Sequence, residues 1–128
     1  MDGQELLKYK NWVVIGDVLN SEKYASIVLN ELKEAGYNVV GVNPRDESGK
    51  LYKNLKNVPY KIDVIDLCIN TAIGIDFVKE AKELNINKIL IQPGARSVEI
   101  IEFCNDNEIY TVQSCALVEL SNRKWKDK

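Results

Sequence analysis

Short apolar runs without alternation recur along the chain, each followed by a stretch whose apolar positions fall three and four residues apart. Unalternated runs of this length are the pattern of strands buried on both faces. They predict strands at Trp12–Ile15, Val39–Val42, Ile62–Ile69, Lys88–Gln92 and Ile109–Gln113. The intervening stretches carry helical stripes. Ala25, Val28, Leu29 and Leu32 predict a helix from Glu22 to Ala35, with Asn20 or Ser21 as its N-cap and Gly36 as its stop. Ile73, Phe77, Ala81 and Leu84 give a second helix from about Ala72 to Leu84, and Val98, Ile101 and Cys104 turn the inner side of a third over Ser97–Asn107.

The remaining segments are expected to be peripheral. Gly3–Lys10 reads as a short helix over one end of the sheet, and Asp46–Lys61 as an ordered excursion held by Leu51, Tyr52, Leu55 and Val58. The basic tail from Arg123 to Lys128 is expected to be a frayed, solvated end. Five strands alternating with helices predict an α/β architecture, a doubly wound parallel sheet with helices on both faces, in one domain spanning residues 1–128.

Charge and composition narrow the function classes. The formal net charge is −2, which provides no broad basic field for nucleic acid. Cys68, Cys104 and Cys115 are widely spaced and there is no histidine. Neither a disulfide framework nor a zinc site is expected, and the thiols fit a reducing cytoplasm. Without histidine, Ser-His and Cys-His nucleophilic catalysis within the chain is excluded. No apolar run is long enough to span a bilayer, and the acidic start Met1-Asp2-Gly3-Gln4-Glu5 does not read as a signal peptide, so no membrane partner is expected.

Ligands of such sheets bind outside the carboxyl ends of the strands. The loops selected in advance are Gly16–Tyr24, Asn43-Pro44-Arg45, Asn70-Thr71, Gln92-Pro93-Gly94 and Ser114-Cys115. In the first, Gly16 is the only glycine, so the G-x-G-x-x-G fingerprint of a standard NAD site is missing. Asp17 follows it, and Ser21, Lys23 and Tyr24 stand at the helix start. They either grip phosphate beside free N–H groups or serve as an ordinary cap and solvated side chains. The second strand ends in Asn43-Pro44-Arg45 where an NAD site has an acidic residue. Arg45 suits a phosphorylated ribose, as in NADP or coenzyme A, or else pairs with Asp46 or Glu47. Gln92, Pro93 and Gly94 either line a ligand or make a plain turn. Asp63 and Asp66 lie three apart in one strand and so face opposite ways, and Asp66 is expected to bond a neighbouring loop or helix terminus.

Together these segments resemble the CoA-binding domain family, small relatives of the N-terminal domain of the succinyl-CoA synthetase α subunit. The resemblance runs from about Asn11 to Leu120. It is carried by Trp12-Val13-Val14-Ile15-Gly16, by Ser21-x-Lys23-Tyr24, by Gly36-Tyr37-Asn38-Val39-Val40-Gly41-Val42-Asn43-Pro44, by Val64-Ile65-Asp66-Leu67, by Gln92-Pro93-Gly94 and by Cys115. It implies a Rossmann-like domain that binds coenzyme A, with pyrophosphate at Gly16–Tyr24 and the adenosine 3′-phosphate near Asn43–Arg45. Family relatives usually continue the cysteine into Cys-Pro, whereas this chain has Cys115-Ala116. The synthetase's phosphohistidine lies in another domain, so ligase activity is not expected. The expected function is binding of CoA or acyl-CoA in a non-catalytic or regulatory role, with a protein partner or self-association open. The alternatives are an NADP-dependent oxidoreductase-like protein and an interaction domain without a ligand.

Overall fold

A computed structural model of the chain describes residues 2–126. In chain order the elements are α1 (Gly3–Leu6), β1 (Asn11–Ile15), α2 (Tyr24–Glu34), β2 (Asn38–Val42), β3 (Val64–Leu67), α3 (Thr71–Glu83), β4 (Lys88–Ile91), α4 (Val98–Asp106), β5 (Tyr110–Gln113) and α5 (Ala116–Lys126). All four strand pairings are parallel, in the order β2-β1-β3-β4-β5. The chain moves from β1 outward to β2, then returns across β1 to lay down β3. The strand order therefore reverses between β1 and β3, which opens a crevice above their carboxyl ends.

Alternation along each strand divides the core into two layers. Trp12 and Val14 of β1, Val39, Val64 and Leu90 pack with Leu6, Val28, Leu32 and Leu120 of α1, α2 and α5. Val13, Ile15, Ile65, Leu67, Ile89 and Ile91 pack on the opposite face with Phe77, Val78, Ala81, Ile100 and Cys104 of α3 and α4. These side chains are almost fully buried, and each contributes about 1.5–3 kcal/mol for leaving water. The central strands are thus sandwiched, which is why their sequences show no polar face.

The excursion over residues 46–61 is ordered, as expected. Leu55 and Val58 are buried, Tyr52 bridges to Val42, and the Glu80 carboxylate accepts from the Leu55 N–H at 2.9 Å. Gly36 follows α2 with φ of 91°, the left-handed conformation that closes a helix.

Four expectations are corrected. The third strand stops short of the predicted Ile62–Ile69, because Asp63 turns its backbone N–H and its carboxylate to Asn11 instead. On the two stripes, Leu84 and Val98 are 40% and 70% exposed. Val98 sits directly after the Ser97 cap, and Ile100 and Cys104, four apart, take the core side. The predicted N-caps Asn20 and Ser21 lie outside α2, whose N-cap is Lys23, without a side-chain cap. Finally, residues 123–126, expected to belong to a frayed, solvated end, continue the helix α5 that begins at Ala116. Ala116 and Leu120, one turn apart, are buried, and the Arg123 guanidinium lies 5.5 Å over the Tyr37 ring. Asp127 and Lys128 lie outside the described residues.

Candidate functional site

A groove of about 540 Å³ occupies the crevice above β1 and β3. Its wall is drawn from four strand ends and one helix start: Asp17 after β1, Asn43 and Arg45 after β2, Cys68, Ile69 and Asn70 after β3, Gln92 after β4, and Lys23, Tyr24 and Ala25 at α2. The size is that of a small-molecule site.

Gly16 forms the floor. Its φ is 155°, a conformation side chains disfavour, and a Cβ there would lie 2.8 Å from the Cys68 carbonyl oxygen and 3.1 Å from the Ala25 Cβ. The single glycine of the loop therefore lets three segments meet beneath the groove. From this floor the chain rises to α2. Asn20 Oδ1 accepts from the Glu22 N–H at 3.1 Å, so it closes the loop and leaves the helix start uncapped. The first N–H groups of α2 carry the positive end of the helix dipole into the groove wall, with Lys23 beside them.

The second loop is fixed by Asn43, whose side-chain oxygen accepts from the Arg45 N–H at 3.0 Å. Asp46, one of the two alternative partners for Arg45 beside Glu47, is committed elsewhere: it accepts from the Ser48 hydroxyl at 2.6 Å and the Leu51 N–H at 3.2 Å. These bonds, the Ser48 hydroxyl first, hold its pKa below the usual value. Asn70 both lines the groove and caps α3, accepting from the Ile73 N–H at 3.1 Å. Gln92 contributes a buried Oε1 that has no hydrogen-bond partner among the described residues. A buried acceptor without a donor is costly.

Beneath the wall lies a set of ionisable groups. Asp66 is fully buried on the α2 and α5 side of the sheet, and neither carboxylate oxygen has a hydrogen-bond partner among the described residues. The expected bond to a loop or helix terminus is not made. Burial pushes its carboxyl up to about 7, while the neighbouring Cys68 thiol, short of bonding geometry, acts in the opposite direction. The Cys68 thiol is itself pushed well above its usual range by burial and then by Asp66. The Tyr24 hydroxyl donates to Cys115 Sγ at 2.9 Å. Burial, followed by that bond and the Asp66 charge, raises the Tyr24 phenol so that it stays protonated.

Of the residues singled out from the sequence, Asp17, Lys23, Tyr24, Asn43, Arg45, Asn70 and Gln92 meet on one wall, and Gly16 lies under it. Cys115 stands behind Tyr24, off the wall. Ser21, Thr71, Pro93 and Gly94 are not on the wall, and Pro44 borders a separate depression against α3. The sequence reading missed Ala25, Cys68 and Ile69. The last two directly precede the predicted Asn70-Thr71 loop and were assigned to the strand; Ala25 reaches the wall because α2 begins only at Tyr24.

No match is found among curated proteins. Solved structures with the same fold include a conserved hypothetical protein from Pyrococcus furiosus, 32% identical with a TM-score of 0.78, covering 87% of this chain and 99% of that one. A hypothetical protein from Pyrococcus horikoshii is 27% identical with a TM-score of 0.82, over 91% and 85% of the two chains. A Thermus thermophilus protein is 25% identical with a TM-score of 0.83, over 95% and 98%. The model of the CoA binding domain matches residues 10–121, which takes in every residue of the groove wall. The chain belongs to the CoA-binding domain family.

Proposed function

We propose that this chain binds coenzyme A in the groove between β1 and β3 and holds it without turning it over. The observation that carries the reading is the convergence of an uncapped helix start, Lys23 and Arg45 on one wall with the orphaned Gln92 Oε1. Phosphates suit the first three and a ligand donor suits the last. Gly16 lets β1, Cys68 and Ala25 pack closely beneath the uncapped helix start where a pyrophosphate would sit. Arg45, at the end of β2, is the candidate for the 3′-phosphate on the ribose, with Asn43 shaping its loop. The binding role is read as regulatory or carrier-like because the wall brings together no histidine and no carboxylate pair; Asp17 is its acidic residue. A small-molecule ligand and a cytoplasmic setting are parts of the same proposal.

Thermal unfolding with CoA, dephospho-CoA, NAD and NADP tests it. CoA is expected to raise the midpoint most, and Arg45→Ala to weaken CoA about tenfold while leaving dephospho-CoA nearly unchanged, the loss of one charge-assisted contact. No shift with CoA, or equal shifts with all four ligands, refutes the assignment.

A further inference from the structure

Arg45 is followed by two acidic residues, Asp46 and Glu47, yet its guanidinium forms no ion pair or hydrogen bond with another described residue. A carboxylate one position away is a ready bidentate partner for arginine, so its diversion needs a cause. The cause lies in the loop that follows β2. The Asn43 N–H donates to the Tyr52 carbonyl at 2.9 Å, which closes residues 43–52 into a compact loop with its ends together. Inside it the Asp46 side chain is buried. One of its oxygens accepts from the Ser48 N–H at 3.2 Å and the Ser48 hydroxyl at 2.6 Å, and the other from the Leu51 N–H at 3.2 Å. Gly49, with φ of 77°, turns the chain so that Leu51 comes back to that second oxygen.

These donors are themselves fixed. The Ser48 oxygen accepts from the Lys50 N–H at 3.1 Å, so its own proton is turned towards Asp46. The Leu51 side chain is seated over β2 beside Val18 of the first loop: a Cβ on Gly41 would strike Val18 and lie 3.1 Å from Leu51 Cδ2. The Asp46 N–H donates to the Asn43 carbonyl at 3.2 Å, and the Arg45 N–H to the Asn43 side chain at 3.0 Å. The backbone around Arg45 is therefore held, and both oxygens of the adjacent carboxylate are occupied. Glu47 is exposed, where pairing with a neighbouring arginine is screened by water.

Resting on the CoA reading, we propose that Asp46 is a positioning residue for Arg45 and a determinant of the preference for a phosphorylated ribose. It ties down the loop that presents the guanidinium to the groove. With its oxygens occupied by donors of that same loop, it also does not compete with a ligand phosphate for Arg45. A loose carboxylate at this position would do the reverse and set a negative charge against the 3′-phosphate. Asp46 is not on the groove wall and acts only through its neighbour, so its effect is confined to ligands that carry this phosphate.

Isothermal titration of the full chain with CoA and with dephospho-CoA, which differ only in the 3′-phosphate, tests this. Asp46→Ala is expected to weaken CoA about fivefold and to leave dephospho-CoA within about twofold of wild type, the scale of one hydrogen bond. Ser48→Ala, at an exposed position, leaves Asp46 short of a donor and free to turn towards Arg45. It is expected to weaken CoA about threefold with the same selectivity. In an Arg45→Ala background neither change is expected to act further on CoA. Equal losses with the two ligands, or losses that add to that of Arg45→Ala, overturn the proposal. Ser48→Ala decides alone if Asp46→Ala does not fold. Wild type that binds neither ligand refutes the CoA reading as well, whereas wild type that prefers CoA, with variants that keep that preference, refutes this proposal only.

Discussion

Replacing Asp66 by asparagine is expected to abolish a loss of stability of roughly 4 kcal/mol that the wild type undergoes between about pH 4 and pH 7. Its carboxyl is fully buried without a hydrogen-bond partner, and burial raises its pKa to about 7, whereas the unfolded chain titrates it near 3.9. The folded state therefore retains a proton that the unfolded state has already released. Its advantage is fully present below about pH 4 and is lost as pH rises towards 7, beyond which the penalty is constant. Asparagine is close in shape and cannot ionise, so its stability profile should lack this slope. Above pH 7 the variant should be the more stable protein, although it still buries polar atoms. Urea unfolding of both proteins at several pH values checks this, and parallel profiles would show that Asp66 is solvated or paired when ionised.

Gly16→Ala is expected to destabilise the fold by about 3 kcal/mol, combining backbone strain with forced contact. The φ of 155° disfavours any side chain, and the nearest obstacle, the Cys68 carbonyl oxygen at 2.8 Å, is backbone held in place as its own N–H donates to Ile15. Relief requires β1 and β3 to separate at their carboxyl ends, where the groove lies. The midpoint of urea denaturation reports the cost. A change below about 0.5 kcal/mol would mean that the loop relaxes freely and that the floor is not built as described.

The sheet was legible because strands sandwiched between helices have almost no polar positions, so runs such as Trp12–Ile15 and Val39–Val42 stand out without context. Because parallel strands put all their carboxyl ends on one edge, knowing the strands was enough to nominate the loops that supply most of the wall. What the pattern hid was set by tertiary contacts. Among its described side chains the helix α5 buries Ala116 and Leu120, beneath a basic end that looks solvated in isolation. The absence of a cap on α2 was likewise invisible: Asn20 and Ser21 are ordinary capping residues, and only the path of the loop places them outside the helix. Asp66 reads as a polar position within an apolar run, and nothing local reveals that no donor meets it.

The central claim is that CoA occupies the crevice where strand order reverses. The most direct test is amide chemical-shift mapping of the labelled chain during titration with reduced CoA. Saturable shifts concentrated at Gly16, Lys23 to Ala25, Asn43, Arg45 and Asn70, with the α4 and β5 edge unmoved, are the expected result. Absence of saturable shifts, or shifts centred on α4 and β5, would contradict it.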